Sequence, residues 1–169
     1  TAGKNYMLKT LGIKTDLDLR TPGKEGAGAS SPLGSNVKYI NIDGRRYYKD
    51  AKSIATDEGK KIIAQEIRPF ADPNNYPIFM HCSAGRDRTG CLALIIEGLL
   101  GMSKKDILME YELFVFSERG TTGDSTVARL TGLIESMYDY LDSDFQGDTF
   151  AEKVEKYLLS CGVSAKEIQ

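Results

Sequence analysis

The stretch of sequence that decides the fold runs from Pro77 to Gly90 and reads PIFMHCSAGRDRTG. Its apolar start, Pro77–Met80, predicts a short buried strand, and the apolar segment Arg88–Leu100 predicts a helix. The small residues Ser83–Gly85 between them allow the backbone to curl tightly and to turn its N–H groups inward. Because the N-terminus of the following helix is directed at the same point, this strand, loop and helix predict a cradle for a tetrahedral anion.

Cys82 and Arg88 stand at the two ends of the predicted cradle. Arg88 can close the ring of N–H groups and hold two anion oxygens with its planar fork, which a lysine cannot match. A free cysteine has a pKa of about 8.5, but the helix-end amides, Arg88 and the Thr89 hydroxyl all favour the thiolate. The sequence therefore predicts an oxyanion site in which Cys82 attacks phosphorus and forms a cysteinyl-phosphate. The residues of this phosphate-binding loop are Ser83, Ala84, Gly85, Arg86, Asp87 and Arg88.

A cysteine, five further residues and an arginine between a strand and a helix form the signature of the cysteine-dependent protein tyrosine phosphatases, which this chain resembles. The resemblance is strongest to the bacterial tyrosine-phosphatase-like family with the loop His-Cys-x-x-Gly-x-Asp-Arg-Thr-Gly, which His81–Gly90 spells. Upstream, Leu11–Arg20 with the acidic Glu25 is similar to that family's Gly-Ile-x-x-hydrophobic-x-Asp-Leu-Arg segment. Downstream, Leu99–Tyr111 is similar to its post-loop helices. The resemblance spans most of Leu8–Ser117, and we expect the family's usual additional N-terminal segment to be missing here.

This resemblance implies one α/β domain over residues 1–169, with a mainly parallel central sheet flanked by helices, as in protein tyrosine phosphatases. It implies an enzyme that hydrolyses phosphomonoesters, first of all phosphotyrosine in proteins, without a metal or other cofactor. Inorganic phosphate or sulfate is expected to fit the same loop. Two alternatives stay open: a phosphoinositide or inositol phosphate phosphatase, and an inactive phosphate-binding module that keeps the cradle but lacks a working acid.

The general acid is harder to place, because the sequence has no Trp and therefore no Trp-Pro-Asp triplet. The resemblance favours Asp43, which follows the predicted strand Val37–Ile42. Asp50 and Asp57 lie in the same connection, and Asp87 within the loop could assist. We therefore expect Asp43 to protonate the leaving oxygen and then to activate the water that removes the phosphoryl group.

Residues around the loop each have two interpretations. His81 is either a strand-end residue or a ring that bonds to the loop backbone and orients the nucleophile, and we favour the second. Asp18, Arg20 and Glu25 are either a strand end with a surface pair or groups that contact the loop or the substrate. These alternatives need the structure to separate them.

Specificity is expected to depend on Arg86 and on the basic and aromatic cluster Arg45–Tyr48. The resemblance implies that similar phosphoinositide phosphatases carry a lysine at the position of Arg86, where a basic group would meet additional phosphates. The cluster is either a solvated turn or the mouth of the site, with a ring against an aryl substrate. Cys91 and Cys161 lie in apolar helical contexts and are predicted to be core residues.

The composition excludes several other classes of protein. The chain has 169 residues, 41% of them hydrophobic and 27% charged, which is typical of one globular domain and not of a disordered chain. Three cysteines are too few for a disulfide framework or a four-ligand zinc site. The net charge of -2 predicts no general affinity for nucleic acid, and the longest apolar run, Cys91–Ile96, is too short to span a membrane. We expect a soluble, cytoplasmic protein, with export left open because the chain lacks an initiator Met.

The rest of the chain alternates strand and helix patterns. A strand is predicted over Ile13–Leu19 and a second over Val37–Ile42, with a loop rich in Gly, Pro and Ser over Thr21–Asn36 between them. One helix is predicted over Ala51–Arg68, closed by Pro69. Later helices are predicted from the cap pairs Ser103 with Asp106 and Thr149 with Glu152, from the apolar spacing of Val127–Leu141, and from a last turn at Ser164–Glu167.

Overall fold

A parallel sheet of three strands lies at the centre of the fold. The computed structural model describes residues 1–45, 51–116 and 127–169. Within them, β1 (Thr15–Asp18) lies between β2 (Lys38–Asn41) and β3 (Ile78–His81), and both pairings are parallel. Asp18 is in register with Asn41 and with His81, so the carboxyl ends of the three strands meet at one edge. The segments that follow the strands are therefore brought together there.

Helices form most of the remaining regular structure in the described chain. They are α1 (Ala2–Asn5), α2 (Asp57–Ile67), α3 (Asp87–Leu99), α4 (Lys104–Glu112), α5 (Val127–Asp144), α6 (Phe150–Ser160) and α7 (Ala165–Ile168). A π-helical turn covers Tyr6–Thr10, and 3-10 turns cover Ala51–Ala55, Arg68–Ala71, Pro73–Asn75 and Leu113–Phe116. The α/β architecture predicted from the sequence is thus confirmed.

The hydrophobic core lies between the sheet and the longer helices. Leu17 in β1 is fully buried, and α3 contributes a nearly continuous apolar surface that includes Leu92 and Ile95. Helices α5 and α6 complete this core, with Met137 and Leu158 fully buried. Helix α3 packs against α2, α4, α5, α6 and β3, so the helix that follows the loop after β3 is part of the core.

The predicted strands and caps are confirmed, although β1 and β2 are shorter than predicted and β3 begins and ends one residue later. Ser103 accepts a hydrogen bond from the Asp106 N–H at the start of α4, and capping boxes open α6 at Thr149 and α7 at Ser164. The Thr21–Asn36 loop contains no helix or strand, as predicted. Among the described residues, no helix has both the length and the apolar content needed to cross a membrane.

The prediction of one continuous helix over Ala51–Arg68 is wrong. Thr56 interrupts it, because its side chain accepts a hydrogen bond from the Gly59 N–H and donates one to the Ser53 carbonyl oxygen. A Cβ at position 59 would collide with that same oxygen, so the 3-10 turn folds directly against the start of α2. The apolar spacing could not show this break, since the isoleucines keep helical spacing on both sides of it.

Candidate active site

The predicted phosphate-binding loop lies between the end of β3 and the start of α3. β3 ends at His81 and α3 begins at Asp87, so Cys82 is the first residue of the loop, and it is buried. Gly85 has a φ of 71°, a left-handed conformation that favours glycine, and no atom lies near where its Cβ would be. The backbone conformation, not crowding, thus requires glycine at this turn.

The Cys82 thiol is surrounded by hydrogen-bond donors. Burial raises its pKa, but the Thr89 hydroxyl and the backbone N–H groups of Thr89, Ala84 and Gly85 outweigh burial and hold the pKa below its ordinary value of 9.0. These donors favour a negative charge at Cys82, and its role as a nucleophile stays a prediction.

Arg88 is held in place by Glu25. The Arg88 Nη1 donates to Glu25 Oε2 over 2.7 Å and Nη2 donates to Oε1 over 3.0 Å, while Nη1 also contacts the Leu19 carbonyl oxygen at 3.3 Å. The Arg88 side chain is 6% exposed, so the guanidinium of this ion pair is buried, while the Glu25 side chain is partly exposed. The hydrogen bonds from Arg88 lower the pKa of Glu25 below its ordinary value, which keeps the carboxylate charged.

The long loop after β1 presents Glu25 to Arg88. Glu25 has a φ of 53°, which is a strained conformation for a residue with a Cβ. Its carboxylate also accepts the Thr21 N–H, and its carbonyl oxygen accepts Arg20 Nη1 at 3.1 Å. The surrounding contacts thus impose a backbone conformation that aims this carboxylate at the phosphate-binding loop.

Arg20 is itself fixed by Asp18, at the end of β1. The Arg20 Nε and Nη2 donate to the two oxygens of Asp18 over 2.9 and 2.7 Å, and the Tyr39 hydroxyl donates to the same carboxylate over 2.8 Å. Burial raises the pKa of Asp18, but the hydrogen bonds from Arg20 and Tyr39 outweigh it and hold the pKa below 3.8. Asp18, Arg20 and Glu25 therefore form one connected network with Arg88, and the surface-pair interpretation is wrong.

His81 has two acceptors, one on each side of its ring. Its Nε2 lies 2.9 Å from Asp16 Oδ1, and its Nδ1 lies 3.2 Å from the Cys82 carbonyl oxygen. Burial lowers the pKa of His81, but these hydrogen bonds outweigh it and raise the pKa above 6.5, because only the protonated ring can donate to both acceptors. The ring thus bonds to the loop backbone beside the nucleophile, in the manner expected from the sequence.

The carboxylates considered as the general acid lie in different places. Asp43 follows β2 at the sheet edge, where it accepts hydrogen bonds from the Thr21 hydroxyl over 3.0 Å and from the Arg45 N–H over 3.1 Å. Since Thr21 also contacts Glu25, Asp43 belongs to the network that reaches Arg88. Asp57 lies in the first turn of α2, beside a cavity lined by α2 and the end of α6. Asp50 is outside the described residues.

Arg86 is occupied by contacts within the protein. Its Nε and Nη2 donate to the two oxygens of Asp87 over 2.9 and 3.1 Å, and its guanidinium lies 5.3 Å from the centre of the Phe114 ring. Arg86 therefore ties the loop to the segment after α4. In the predicted cluster at the mouth, Arg45 lies 3.6 Å from Asp43, and the remaining residues, 46–48, are outside the described residues.

The other two cysteines differ from each other. Cys91 is fully buried in α3, which confirms the prediction of a core residue. Cys161 is only partly buried at the end of α6 and lines the cavity beside α2, so its placement in the core interior is corrected to the edge of the core. The helix ends at Cys161, and this leaves the thiol beside the cavity.

Sequence reasoning missed the groups that hold the predicted residues in place. Asp16 is fully buried and bonds to both His81 and Ser31, and Tyr39 bonds to Asp18. One signal was available: β1 is buried at every position, yet two of its four residues are aspartates. Buried carboxylates need partners, so a central strand with two of them indicates a polar network at its end.

A resident metal site has no support from the described residues. Across residues 1–45, 51–116 and 127–169, no three His, Cys, Asp or Glu side chains come together as ligands of a metal would.

Comparison with known proteins relates the whole chain to one family. The family model described as "Tyrosine phosphatase family" matches residues 1–169. The tyrosine-protein phosphatase of Nostoc commune is 28% identical over 137 residues, which cover 70% of this chain and 46% of that protein. The tyrosine-protein phosphatase-like protein OCA2 of Saccharomyces cerevisiae is 33% identical over 85 residues, 49% of this chain and 43% of that protein.

Another yeast protein, the inositol diphosphatase SIW14 of Saccharomyces cerevisiae, is 28% identical over 85 residues, which cover 48% of this chain and 30% of that protein. The chain thus spans less than half the length of each of these three relatives.

Proposed function

Because the chain belongs to the tyrosine phosphatase family, we propose that it hydrolyses phosphomonoesters through a covalent phosphoryl-cysteine at Cys82, within a single domain. The observation that carries this proposal is the environment of the Cys82 sulfur. A thiol with a lowered pKa lies inside a ring of backbone N–H groups, at the N-terminus of a rigid helix, with Arg88 at the other end of the loop. A thiolate nucleophile and an oxyanion site therefore coincide.

The first step transfers the phosphoryl group to sulfur. The Cys82 thiolate attacks phosphorus, a sulfur–phosphorus bond forms, and the bond from phosphorus to the ester oxygen breaks. We assign Asp43 to protonate that leaving oxygen, because it is the described candidate that lies at the carboxyl edge of the sheet and in the network that reaches Arg88.

The second step removes the phosphoryl group from sulfur. Asp43, now a carboxylate, takes a proton from the attacking water, a new phosphorus–oxygen bond forms, and the sulfur–phosphorus bond breaks. The products are inorganic phosphate and the Cys82 thiolate. The Thr89 hydroxyl and the loop N–H groups that lower the pKa of Cys82 also make the thiolate a better leaving group in this step.

Arg88 has the role of binding the phosphoryl group in both steps. A guanidinium has five N–H donors in a planar fork, more than the two that Glu25 engages, so one side chain can hold both a structural carboxylate and a phosphoryl group. Glu25 fixes the plane of that fork in advance, which reduces the ordering that phosphate binding requires.

We propose phosphotyrosine in proteins as the substrate, and inositol phosphates as the second candidate. The Arg86 contacts support the first choice: its guanidinium is paired with Asp87, whose negative charge would repel additional ring phosphates, and it lies over Phe114. The second candidate is favoured by the names of relatives, which include the inositol diphosphatases SIW14 of Saccharomyces cerevisiae and DSP3 of Arabidopsis thaliana.

A panel of substrates tests the proposal. Wild type and Arg86→Ala are assayed on a phosphotyrosyl peptide, inositol phosphates, phosphoinositides in mixed micelles and p-nitrophenyl phosphate. We expect the peptide to give the highest kcat/KM, and Arg86→Ala to change the order of substrates little. Arg68→Ala is the matched control, since Arg68 is likewise paired, with Glu167, but lies away from the loop.

Two outcomes of this panel contradict the proposal at different levels. If kcat/KM is higher for inositol phosphates than for the peptide, and Arg86→Ala lowers it only for inositol phosphates, then inositol phosphates and not phosphotyrosine are the substrates. Turnover of none of the substrates, together with measurable phosphate binding, would show the inactive phosphate-binding module instead.

A further inference from the structure

The last residue of the loop signature, Gly90, is in direct contact with an aromatic ring. Gly90 lies in the first turn of α3, and a Cβ added to it would be 2.6 Å from Cε2 and 2.7 Å from Cδ2 of Tyr111. Tyr111 extends from α4 and is 5% exposed. The edge of its ring therefore lies against the backbone of α3, at a distance that only glycine permits.

This contact is adjacent to the group that acts most directly on the nucleophile. Thr89 precedes Gly90, and both its hydroxyl and its N–H lower the pKa of Cys82. The charged groups around the thiol are already paired: Arg86 with Asp87, Arg88 with Glu25, and His81 with Asp16. The first turn of α3 thus carries one of the groups that favour the thiolate.

We infer that Tyr111 is a positioning residue: its ring, packed on Gly90, holds the first turn of α3, and with it Thr89, in place beside the loop that carries Cys82. The inference rests on the proposed function only in giving Cys82 the role of nucleophile. It concerns the ring and not the hydroxyl of Tyr111, which is buried without a hydrogen-bond partner among the described residues. The ring fills the space that the absent Cβ of Gly90 leaves open.

The same helix supplies a matched control. Gly98, two turns further along α3, is packed in the same way: a Cβ there would be 2.6 Å from Cε1 of Phe150. Gly98→Ala and Gly90→Ala therefore introduce the same group against an aromatic ring on the same helix, and only the second lies beside Thr89. To restore ordinary contact at 3.4 Å or more, the turn and the ring must separate by most of an ångström in each variant.

The test measures the pKa of the Cys82 thiol without any substrate. The rate of alkylation of Cys82 by iodoacetamide is followed from pH 4 to 10 by mass spectrometry of its peptide, which separates it from Cys91 and Cys161. The midpoint of the rate against pH gives the pKa of Cys82. Gly90→Ala and Tyr111→Leu are expected to raise this midpoint by about one pH unit, because the hydrogen bond from Thr89 to the thiolate is weakened. Thr89→Val lacks the hydroxyl and shows how far the midpoint moves when that group is absent. Gly98→Ala and Tyr111→Phe are expected to keep the wild-type midpoint.

A double variant makes the test specific to this contact. Tyr111→Leu removes the ring edge that the new Cβ would meet, so Gly90→Ala is expected to add less than about 0.3 pH units to the midpoint in that background. Thermal unfolding of every variant is measured alongside. If Gly90→Ala does not fold, Tyr111→Leu compared with Tyr111→Phe still decides the question.

Three results would overturn the inference: an unchanged midpoint in Tyr111→Leu, equal shifts in Gly90→Ala and Gly98→Ala, or a shift in Tyr111→Phe as large as in Tyr111→Leu. Because alkylation needs no phosphoester, failure of this inference is distinct from failure of the proposed function. If the chain hydrolyses no phosphomonoester but shows the expected midpoints, the positioning role of Tyr111 stands and the proposed enzymatic function is wrong.

Discussion

At the scale of single residues, Glu25 is the partner on which the geometry of Arg88 depends. Glu25→Gln keeps the size of the side chain but removes the charge and turns an amide toward the guanidinium. We expect kcat/KM for p-nitrophenyl phosphate to fall about ten- to hundredfold, because a small misplacement of Arg88 weakens its grip on the phosphoryl group. Glu167→Gln, which removes the carboxylate paired with Arg68, should have no such effect. Equal activity of Glu25→Gln and wild type would show that the pair does not orient Arg88.

Asp43 is tested by the dependence of the rate on the leaving group. Asp43→Asn cannot donate a proton, so esters with poor leaving groups are expected to lose about 10²- to 10⁴-fold in kcat, and p-nitrophenyl phosphate much less. Steady-state assays on a series of aryl phosphates measure this, with Asp57→Asn as the control in the first turn of α2. If Asp50→Asn or Asp87→Asn shows that pattern and Asp43→Asn does not, the acid is assigned wrongly.

The sequence could predict the groups that we propose to act on the phosphoryl group, but not all the groups that hold them. Cys82, Arg88 and Thr89 lie within eight residues of each other, so their spacing around one loop brings them together. The partners Glu25 and Arg88 are 63 residues apart, and the contact depends on a loop conformation with a positive φ that no local pattern specifies. The role of Tyr111 was out of reach because it arises from packing between separate elements. The two aspartates of β1 indicated a polar network, but not the contact of Asp16 with His81.

At the scale of elements, α6 supports the core through a cap that lies away from the loop. Thr149 accepts the Glu152 N–H, and the Glu152 carboxylate accepts the Thr149 N–H. Thr149→Ala is expected to lower the free energy of unfolding by about 1 kcal/mol, as seen for other N-caps, without changing kcat/KM. Urea unfolding and p-nitrophenyl phosphate turnover check the two expectations. A loss of activity at temperatures where the variant is fully folded would show that α6 is coupled to the site.

The type and order of the helices and strands were more predictable than the residues at which they begin and end. Cap pairs carry their own side-chain chemistry, so Ser103, Thr149 and Ser164 locate three helix starts directly. The break at Thr56 was not predicted, although Thr56 has the same kind of cap, because the apolar spacing around it indicated one helix. The parallel sheet followed from the alternation of strands and helices, while the order β2-β1-β3 depends on long-range packing.

At the scale of the whole molecule, stability is expected to depend on pH through His81. Its pKa is raised by folding, so its contribution is fully present below the ordinary value of 6.5 and is lost as the pH rises through the higher folded value. The free energy of unfolding in urea is measured from pH 5 to 9 for wild type and His81→Asn. We expect the difference between them to shrink as the pH rises above 6.5. A difference that is constant over this range would contradict a charged His81–Asp16 pair.

Two carboxylates determine how the free energy of unfolding falls on the acidic side. The pKa values of Asp18 and Glu25 are lowered by folding, so their contributions are present above the ordinary values of 3.8 and 4.5 and are lost as the pH falls through the lower folded values. These two groups and His81 together favour the folded state most between about pH 4.5 and 6.5. The network that orders the site therefore also shapes the stability of the molecule.

The most direct measurement is to trap the phosphoryl group on the protein. The enzyme is mixed with p-nitrophenyl phosphate, quenched within milliseconds in acid, digested and analysed by mass spectrometry. The account predicts a phosphoryl group on the Cys82 peptide of the wild type, more of it in Asp43→Asn because removal by water is slowed, and none on Cys82→Ser, which should also lack turnover. Undiminished turnover by Cys82→Ser, or a phosphoryl group on another residue, would contradict the account.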